Sequence, residues 1–308
     1  MLFRPSVESD LDRLLACTVD DGISWADPDR LTGFLADGQY RHDRIWIAEQ
    51  DGRVMARAVW WSFAGSDKPM ALDCVYVDPS VEDRVALAAG LLSHAHEVYG
   101  TRPAYHVFLP NGWRERPAVA SAIAWRQEAA GRAGLTFELE RLRYEWTSDD
   151  PLPAASGRLV FRAEDDDEVF AEAFRRVAEG TLDHETREAL ATMDPIEQAR
   201  QDVEGYKSMP GERSWWMLAH APDGDLVGVA LPSANNGGPV VGYLGVVPEH
   251  RGHGYAGDLL AEITRFLAGR GARRIAADTD LGNVPMARSF ERLGYRNYSI
   301  RLVLASAE

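Results

Sequence analysis

The chain has 308 residues, 45% apolar and 26% charged, enough to bury a substantial core and to build two domains of ordinary size. Acidic residues outnumber basic ones 48 to 33; the net charge of −15 repels a phosphate backbone and argues against nucleic acid as a partner. No run of about 18 apolar residues occurs, and Met1 to Ser9 carries neither a basic segment nor an apolar h-region, so the expectation is a cytoplasmic protein with no membrane partner.

In chain order, Leu2-Phe3-Arg4 reads as a strand ending in Arg before an acidic helix start that runs from Glu8 to Ala16. Cys17 and Cys74 stand far apart without a metal or disulfide spacing, so they are expected to be buried small hydrophobes, and no metal site is expected. Trp46 to Gln50 and Val54 to Trp61 flank Asp51-Gly52, a hairpin signal. Val77-Asp78-Pro79 ends a strand ahead of an amphipathic helix, and Ala133-Gly134-Leu135 reads as a helix end with its C-cap glycine before a final strand. Trp60, Trp61, Trp113 and Trp125 read as packing residues.

Thr147 to Gly157 is rich in Pro, Ser and Asp and lacks apolar periodicity, the mark of an exposed linker. It separates a first domain, 1–147, from a second, 158–308, with 148–157 as the linker. After it the same landmarks return in the same order. They are Leu159-Val-Phe-Arg162 before Glu164 to Val177, Asp223-Gly224 between Trp216 to Ala219 and Leu226 to Leu231, then Val247-Pro248, and finally Leu293-Gly294-Tyr295. Four echoes in order point to a diverged duplication.

The segment Val240 to Ala256 reads as strand, Gly-rich turn and helix start, with Leu259, Leu260, Ile263, Phe266 and Leu267 following at helical spacing. Amides at such a turn lack internal partners and form an anion site reinforced by the helix dipole. Gly252 and Gly254 allow close approach and positive φ, and Ala256 keeps the helix start thin, so a diphosphate is the natural guest.

The order Val-x-Pro-x-x-Arg-Gly-x-Gly-x-Ala, with Arg251, Gly254 and Ala256 at its fixed positions, resembles the acetyl-CoA loop of the GCN5-related N-acetyltransferases (GNAT proteins). Asn283, Ala287, Gly294 and Tyr295 match a second element of that family, Asn-x-x-x-Ala and onward to Gly-Phe/Tyr. The resemblance covers about residues 158 to 304 well and the first half in outline. It implies an α+β fold of two tandem GNAT-like domains, each a mixed, mostly antiparallel and splayed central sheet flanked by helices, in a layout similar to mycothiol synthase. It also implies acetyl-CoA as cosubstrate, held by Val246, Val247, Arg251, Gly252, His253, Gly254, Tyr255, Ala256 and Asn283, with backbone groups of Val246 and Val247 on the pantetheine arm. Asn283 reads equally as a helix cap.

Where many relatives carry a proton-donating Tyr, this chain has Phe290. Ser289, Tyr295, Tyr298 or a water stand as alternative acids. A thiolate, with a conjugate acid near pKa ~8.5, needs one less than an alkoxide would. No Glu lies within Val240 to Val247, so base candidates are Asp183, His184 and Glu185 in the polar insertion after the first helix of the second half, which also reads as a solvated loop. His250 and His253 read as loop residues and His220 as part of a hairpin.

In the first half the loop position reads Val77-Asp-Pro-Ser-Val-Glu-Asp-Arg-Val85, without glycine and with three acids, so that half is expected to be silent. The expected function is N-acetyl transfer to the amine of a small molecule by direct attack, by a monomer or weak homodimer. Transfer of a longer acyl group, or a non-catalytic acetyl-CoA sensor, are the alternatives.

Overall fold

The computed structural model describes residues 1–18, 21–23 and 27–307. The chain forms two compact units, Met1–Glu140 with Ile300–Glu308, and Arg141–Ser299.

The first half runs β1 (Leu2–Pro5), α1 (Leu11–Leu15), α2 (Pro28–Ala36), β2 (Ile45–Gln50), β3 (Arg53–Trp61), β4 (Ala71–Val77), α3 (Arg84–Tyr99), β5 (Tyr105–Leu109), α4 (Pro117–Arg132) and β6 (Phe137–Thr147). The second half runs β7 (Val160–Ala163), α5 (Asp167–Ala178), α6 (His184–Thr192), α7 (Pro195–Lys207), β8 (Met217–His220), β9 (Leu226–Asn235), β10 (Gly238–Val246), α8 (Tyr255–Gly269), β11 (Arg274–Asp280), α9 (Val284–Arg292) and β12 (Arg296–Ala305). The Asp-Gly hairpins form as the sequence predicts: Asp51 and Gly52 both take positive φ between β2 and β3, and Gly224 does so between β8 and β9.

Each unit holds a six-stranded sheet of the same order. The first unit pairs β1-β2-β3-β4-β5 and then residues 300–304 of β12; the second pairs β7-β8-β9-β10-β11 and then residues 141–147 of β6. The sixth strand of each sheet is thus supplied by the other half of the chain. This corrects the expectation that each half keeps its own last strand, and it places the unit boundary at Arg141 rather than in 148–157. Apolar alternation predicts that β6 and β12 are strands, but pairing partners lie outside what one strand's pattern encodes.

In both sheets all neighbours are antiparallel except one parallel pair, β4 with β5 and β10 with β11. Each parallel pair is joined by a single register position, Leu72 opposite Tyr105 and Val240 opposite Ala276. Beyond that position the strands splay. A bulge begins the divergence in the second unit, where the β9 register shifts between Val241 and Tyr243.

The second unit is three-layered. On one face Leu259, Leu260, Ile263 and Leu267 of α8 and Phe290 of α9 pack on Tyr144, Trp146, Val227 and Ile275. On the other, Phe170, Phe174 and Val177 of α5 and Val203 of α7 pack on Trp216, Leu218, Val229 and Leu231. Gly245 lets α5 ride directly on β10, since a Cβ there would lie 2.1 Å from the Val177 side chain.

The 148–157 segment is not free: Trp146 Nε1 donates to Pro151 O and Arg265 donates to Pro153 O, which straps it onto the second unit. In the first unit Cys17 and Cys74 are buried and unpaired, as expected, while Trp60 and Trp113 are core residues.

Candidate active site

The site grows from the splay between β10 and β11. Val247 N–H donates to Val227 O, so odd-numbered positions of the strand turn their backbone groups toward β9. By alternation Leu244 and Val246 turn theirs toward the gap that β11 has left. Arg251 Nε donates to Val246 O, and its other nitrogens bond Gly180 O and Val177 O, which ties the end of β10 to the α5 terminus. The Leu244 N–H and C=O and the Val246 N–H therefore line an open strand edge.

Past this edge the chain turns through Gly252 (φ +82°) and Gly254 (φ +80°) into α8. Arg251 N–H bonds Pro248 O and Gly257 N–H bonds Gly254 O. Among the described residues, the amides from Gly252 to Ala256 meet no protein acceptor, and they crown the helix N-terminus as the sequence predicts. A Cβ on Gly252 would touch nothing, and one on Gly254 only Arg158, at 3.7 Å.

Arg158 donates to His253 O, pairs with Asp258 and lies over the Tyr255 ring, so a guanidinium stands beside the anion cradle. A cavity of about 450 Å³ adjoins the cradle, lined by Pro151 to Ala154, Gly254, Gly257, Arg292 and Leu293 among others.

Two expectations about this edge change. Val247 is spent inside the sheet and fully buried, so Leu244 takes its place beside Val246. Arg251 braces the strand rather than reaching outward. Both follow from strand parity, which the sequence does not reveal without a register. Asn283 caps α9 through Met286 N–H, fulfilling its capping reading.

Residues 181–295 match the family model described as acetyltransferase (GNAT) family. The chain is also similar to solved structures over nearly its whole length. They include a GCN5-related N-acetyltransferase from Sphaerobacter thermophilus (18% identity, 98% of this chain and 94% of that one, TM-score 0.60) and a GNAT-family acetyltransferase from Colwellia psychrerythraea (13%, 100% of both, TM-score 0.51). A third is the GCN5-related glucosamine N-acetyltransferase region of a fungal multi-domain GH3 β-N-acetylglucosaminidase (13%, 98% and 38%, TM-score 0.55). The fold is thus the GNAT fold, with the splayed mixed sheet that the sequence implied.

In the second unit the acid candidates are engaged in other contacts. Tyr295 is buried with its hydroxyl on Thr264 Oγ1 at 2.7 Å, and burial pushes its pKa well up. Ser289 donates back to Pro285 O within α9, and the Tyr298 ring lies under Arg143 and Arg274. Phe290 instead stacks on Tyr144, at 5.0 Å between ring centroids, and the Tyr144 hydroxyl donates to Glu291. Tyr144 comes from the strand lent by the first half, so sequence order gives no sign of it.

The α5–α7 face of the splay is acidic. Asp278 and Asp280 stand on β11, and Arg141 opposite Asp280 on β6. Arg141 lies 3.2 Å from Glu185, 3.4 Å from Asp280 and 3.8 Å from Asp183. Asp183 also caps α6 through Thr186 N–H, and His184 donates its N–H to Asp280 and sets its ring on Glu188. The three residues expected from the insertion do converge, with Asp183 in a capping role and the Glu185 side chain largely exposed.

Missed by sequence reading was α7, whose Gln198, Asp202 and Tyr206 at i, i+4 and i+8 form one stripe. Tyr206 packs on Tyr243 of β10. Desolvation, aided by Asp183 and Glu185, pushes the Asp202 carboxyl up to about 6 against the hydrogen bond from Gln198.

Proposed function

We propose that the protein is an acetyl-CoA-dependent N-acetyltransferase acting on the amine of a small molecule by direct transfer. The observation that carries this is the open edge of β10 at Leu244 and Val246, continuous with the unpartnered amides of Gly252 to Ala256. A pantetheine arm hydrogen-bonds like an added strand and a diphosphate needs clustered N–H donors; this chain offers the two side by side.

Acetyl-CoA supplies an activated thioester. The chain's own groups do the rest. The amides from Gly252 to Ala256 hold the phosphates, with Arg158 adding positive charge. The Leu244 and Val246 amides align the arm, and an edge N–H facing the thioester carbonyl opposes charge developing on its oxygen. The acceptor nitrogen forms a bond to the acyl carbon as the C–S bond breaks, and its proton leaves through the carboxylates of the α5–α7 face. The thiolate departs without a phenol, since Tyr295 and Tyr144 are both held elsewhere. Both cysteines lie in the first unit, away from the β10 edge, which fits direct transfer.

The test is calorimetric titration with acetyl-CoA, free CoA and a longer acyl-CoA, followed by turnover with an amine panel. The expected outcome is micromolar binding at one site per chain and CoA release that depends on amine. The best-bound thioester names the acyl group. Binding without turnover by any amine favours the sensor reading, which the absent phenol supports, and loss of all binding refutes the cofactor assignment.

A further inference from the structure

The α5–α7 face of the splay carries far more negative charge than proton removal requires. Asp183, Glu185, Asp278 and Asp280 gather there around the guanidinium of Arg141, with Asp202 close to Asp183 and Glu185, His184 beside them and Arg143 opposite Asp278. One carboxylate suffices to accept a proton from an ammonium; five facing two arginines set a negative field that discriminates among ligands.

Arg141 is ringed by Asp183, Glu185 and Asp280 and feels Asp278 as well, so it is neutralised several times over and offers little to an anionic group.

A second observation is independent of the charge count. Gln198 is 5% exposed and donates Nε2 to Asp202, while its buried carbonyl oxygen has no donor. A buried acceptor without a donor costs stability unless a ligand supplies one. Beside a carboxylate, the group that satisfies both is an ammonium with its three donors. Tyr206 and Tyr243 wall the same place with aromatic surface, which suits a methylene chain or a cation.

We propose that the acceptor is a small molecule with at least two amino groups and no carboxylate, one ammonium being held at Asp202 and Gln198 while the other amine, as the free base, attacks at the splay. The proposal rests on the N-acetyltransferase reading and narrows it. The anchored ammonium stays charged throughout; only the attacking nitrogen loses a proton as its bond to the acyl carbon forms and the thiolate leaves.

The experiment uses the full chain with three four-carbon acceptors: 1,4-diaminobutane, 1-aminobutane and 4-aminobutanoate. Each is titrated calorimetrically in the presence of CoA and assayed for CoA release from acetyl-CoA. The diamine is expected to exceed the monoamine at least tenfold in kcat/KM, mostly through KM, with the amino acid poorest. Asp202→Asn should collapse the diamine-to-monoamine ratio to within about threefold, while an unaltered acetyl-CoA affinity certifies its fold.

Equal use of diamine and monoamine, or a preference for 4-aminobutanoate, overturns the proposal and leaves the transferase reading standing. Tight diamine binding sensitive to Asp202→Asn but without turnover supports the acceptor assignment and sinks the transferase reading. Absence of selective diamine binding overturns the acceptor assignment in either case.

Discussion

The two units share a sheet order and a splay, yet they treat the splayed edge in opposite ways. In the second unit every residue of β10 except Val240 is partly exposed, whereas β4 in the first unit is buried along its whole length. Asp78 N–H donates to Met55 O, so Val75 and Val77 face the gap just as Leu244 and Val246 do. At Val75 the C=O is taken, accepting from Arg126 Nε at 3.2 Å. Arg126 is itself fixed by Asp21 at 2.8 Å. The bulge that opens β10 carries Gly242, while in β4 the shift falls at Asp73, clamped by Arg30 and Tyr40. At Val75 the first unit fills with a side chain of its own an acceptor whose counterpart at Leu244 in the second stays open.

The comparison breaks most severely if the sixth strand is unimportant. A fragment of residues 158–308 lacks residues 141–147 and with them Tyr144 and Trp146, both buried in the second unit's core. Losing either aromatic costs about 3–5 kcal/mol, and losing both with the strand exceeds the stability of an ordinary domain. This fragment should show no cooperative thermal transition, whereas residues 141–299, which retain all six strands, should melt cooperatively. Equally sharp melting of both would show that the lent strand is dispensable.

Next in size is Gly254→Asp. The new side chain has room, since only Arg158 lies within reach, but it sets a carboxylate among the amides of the cradle and the φ of +80° strains the backbone modestly. Acetyl-CoA affinity should fall about 100-fold or more with little change in melting. An unchanged affinity in calorimetry would place the phosphates elsewhere.

Much of this was legible in the residues. Gly252, Gly254 and the helix that follows predict the turn of unpartnered amides that the structure shows, and Val77 to Val85 has no glycine with which to build one. What stayed hidden is what depends on register and on distant partners. Strand parity removed Val247 and admitted Leu244. Tyr295 and Ser289 look chemically able until their hydrogen bonds to Thr264 and Pro285 are seen. Asp202 and Gln198 sit on an unremarkable polar helix whose stripe has meaning only once Tyr206 is known to face β10. The exchange of β6 and β12 leaves no trace in local pattern, because a strand's alternation names its faces and not its neighbours.

The units also differ in their response to acid. His96 in the first unit is buried against Trp60, and desolvation lowers its pKa from 6.5 to about 4. The folded state refuses a proton that the unfolded chain accepts, so this contribution to stability is complete above pH 6.5 and is lost as pH falls toward 4. It amounts to about 3 kcal/mol. Asp202 in the second unit has its pKa raised to about 6, so it destabilises that unit as pH rises through the same window. Hydrogen exchange resolved by unit between pH 4 and 6.5 should therefore show first-unit protection rising with pH more steeply than second-unit protection. In His96→Leu that difference should flatten, and a slope indifferent to the substitution would remove His96 as its source.

The smallest effect probes the filled acceptor itself. Arg126→Met keeps a long apolar stem in its buried place and deletes the guanidinium that donates to Val75 O. The carbonyl then loses that donor where Val75 is 2% exposed and water has little access, at a cost of about 1–3 kcal/mol. The variant should thus melt several degrees lower while binding acetyl-CoA with the parent affinity and still at one site, because the first unit has no amide cradle to join to the freed edge. A gain of a second acetyl-CoA site would mean that the arginine alone keeps the first unit silent. An unchanged melting temperature would mean that Val75 had never depended on the arginine.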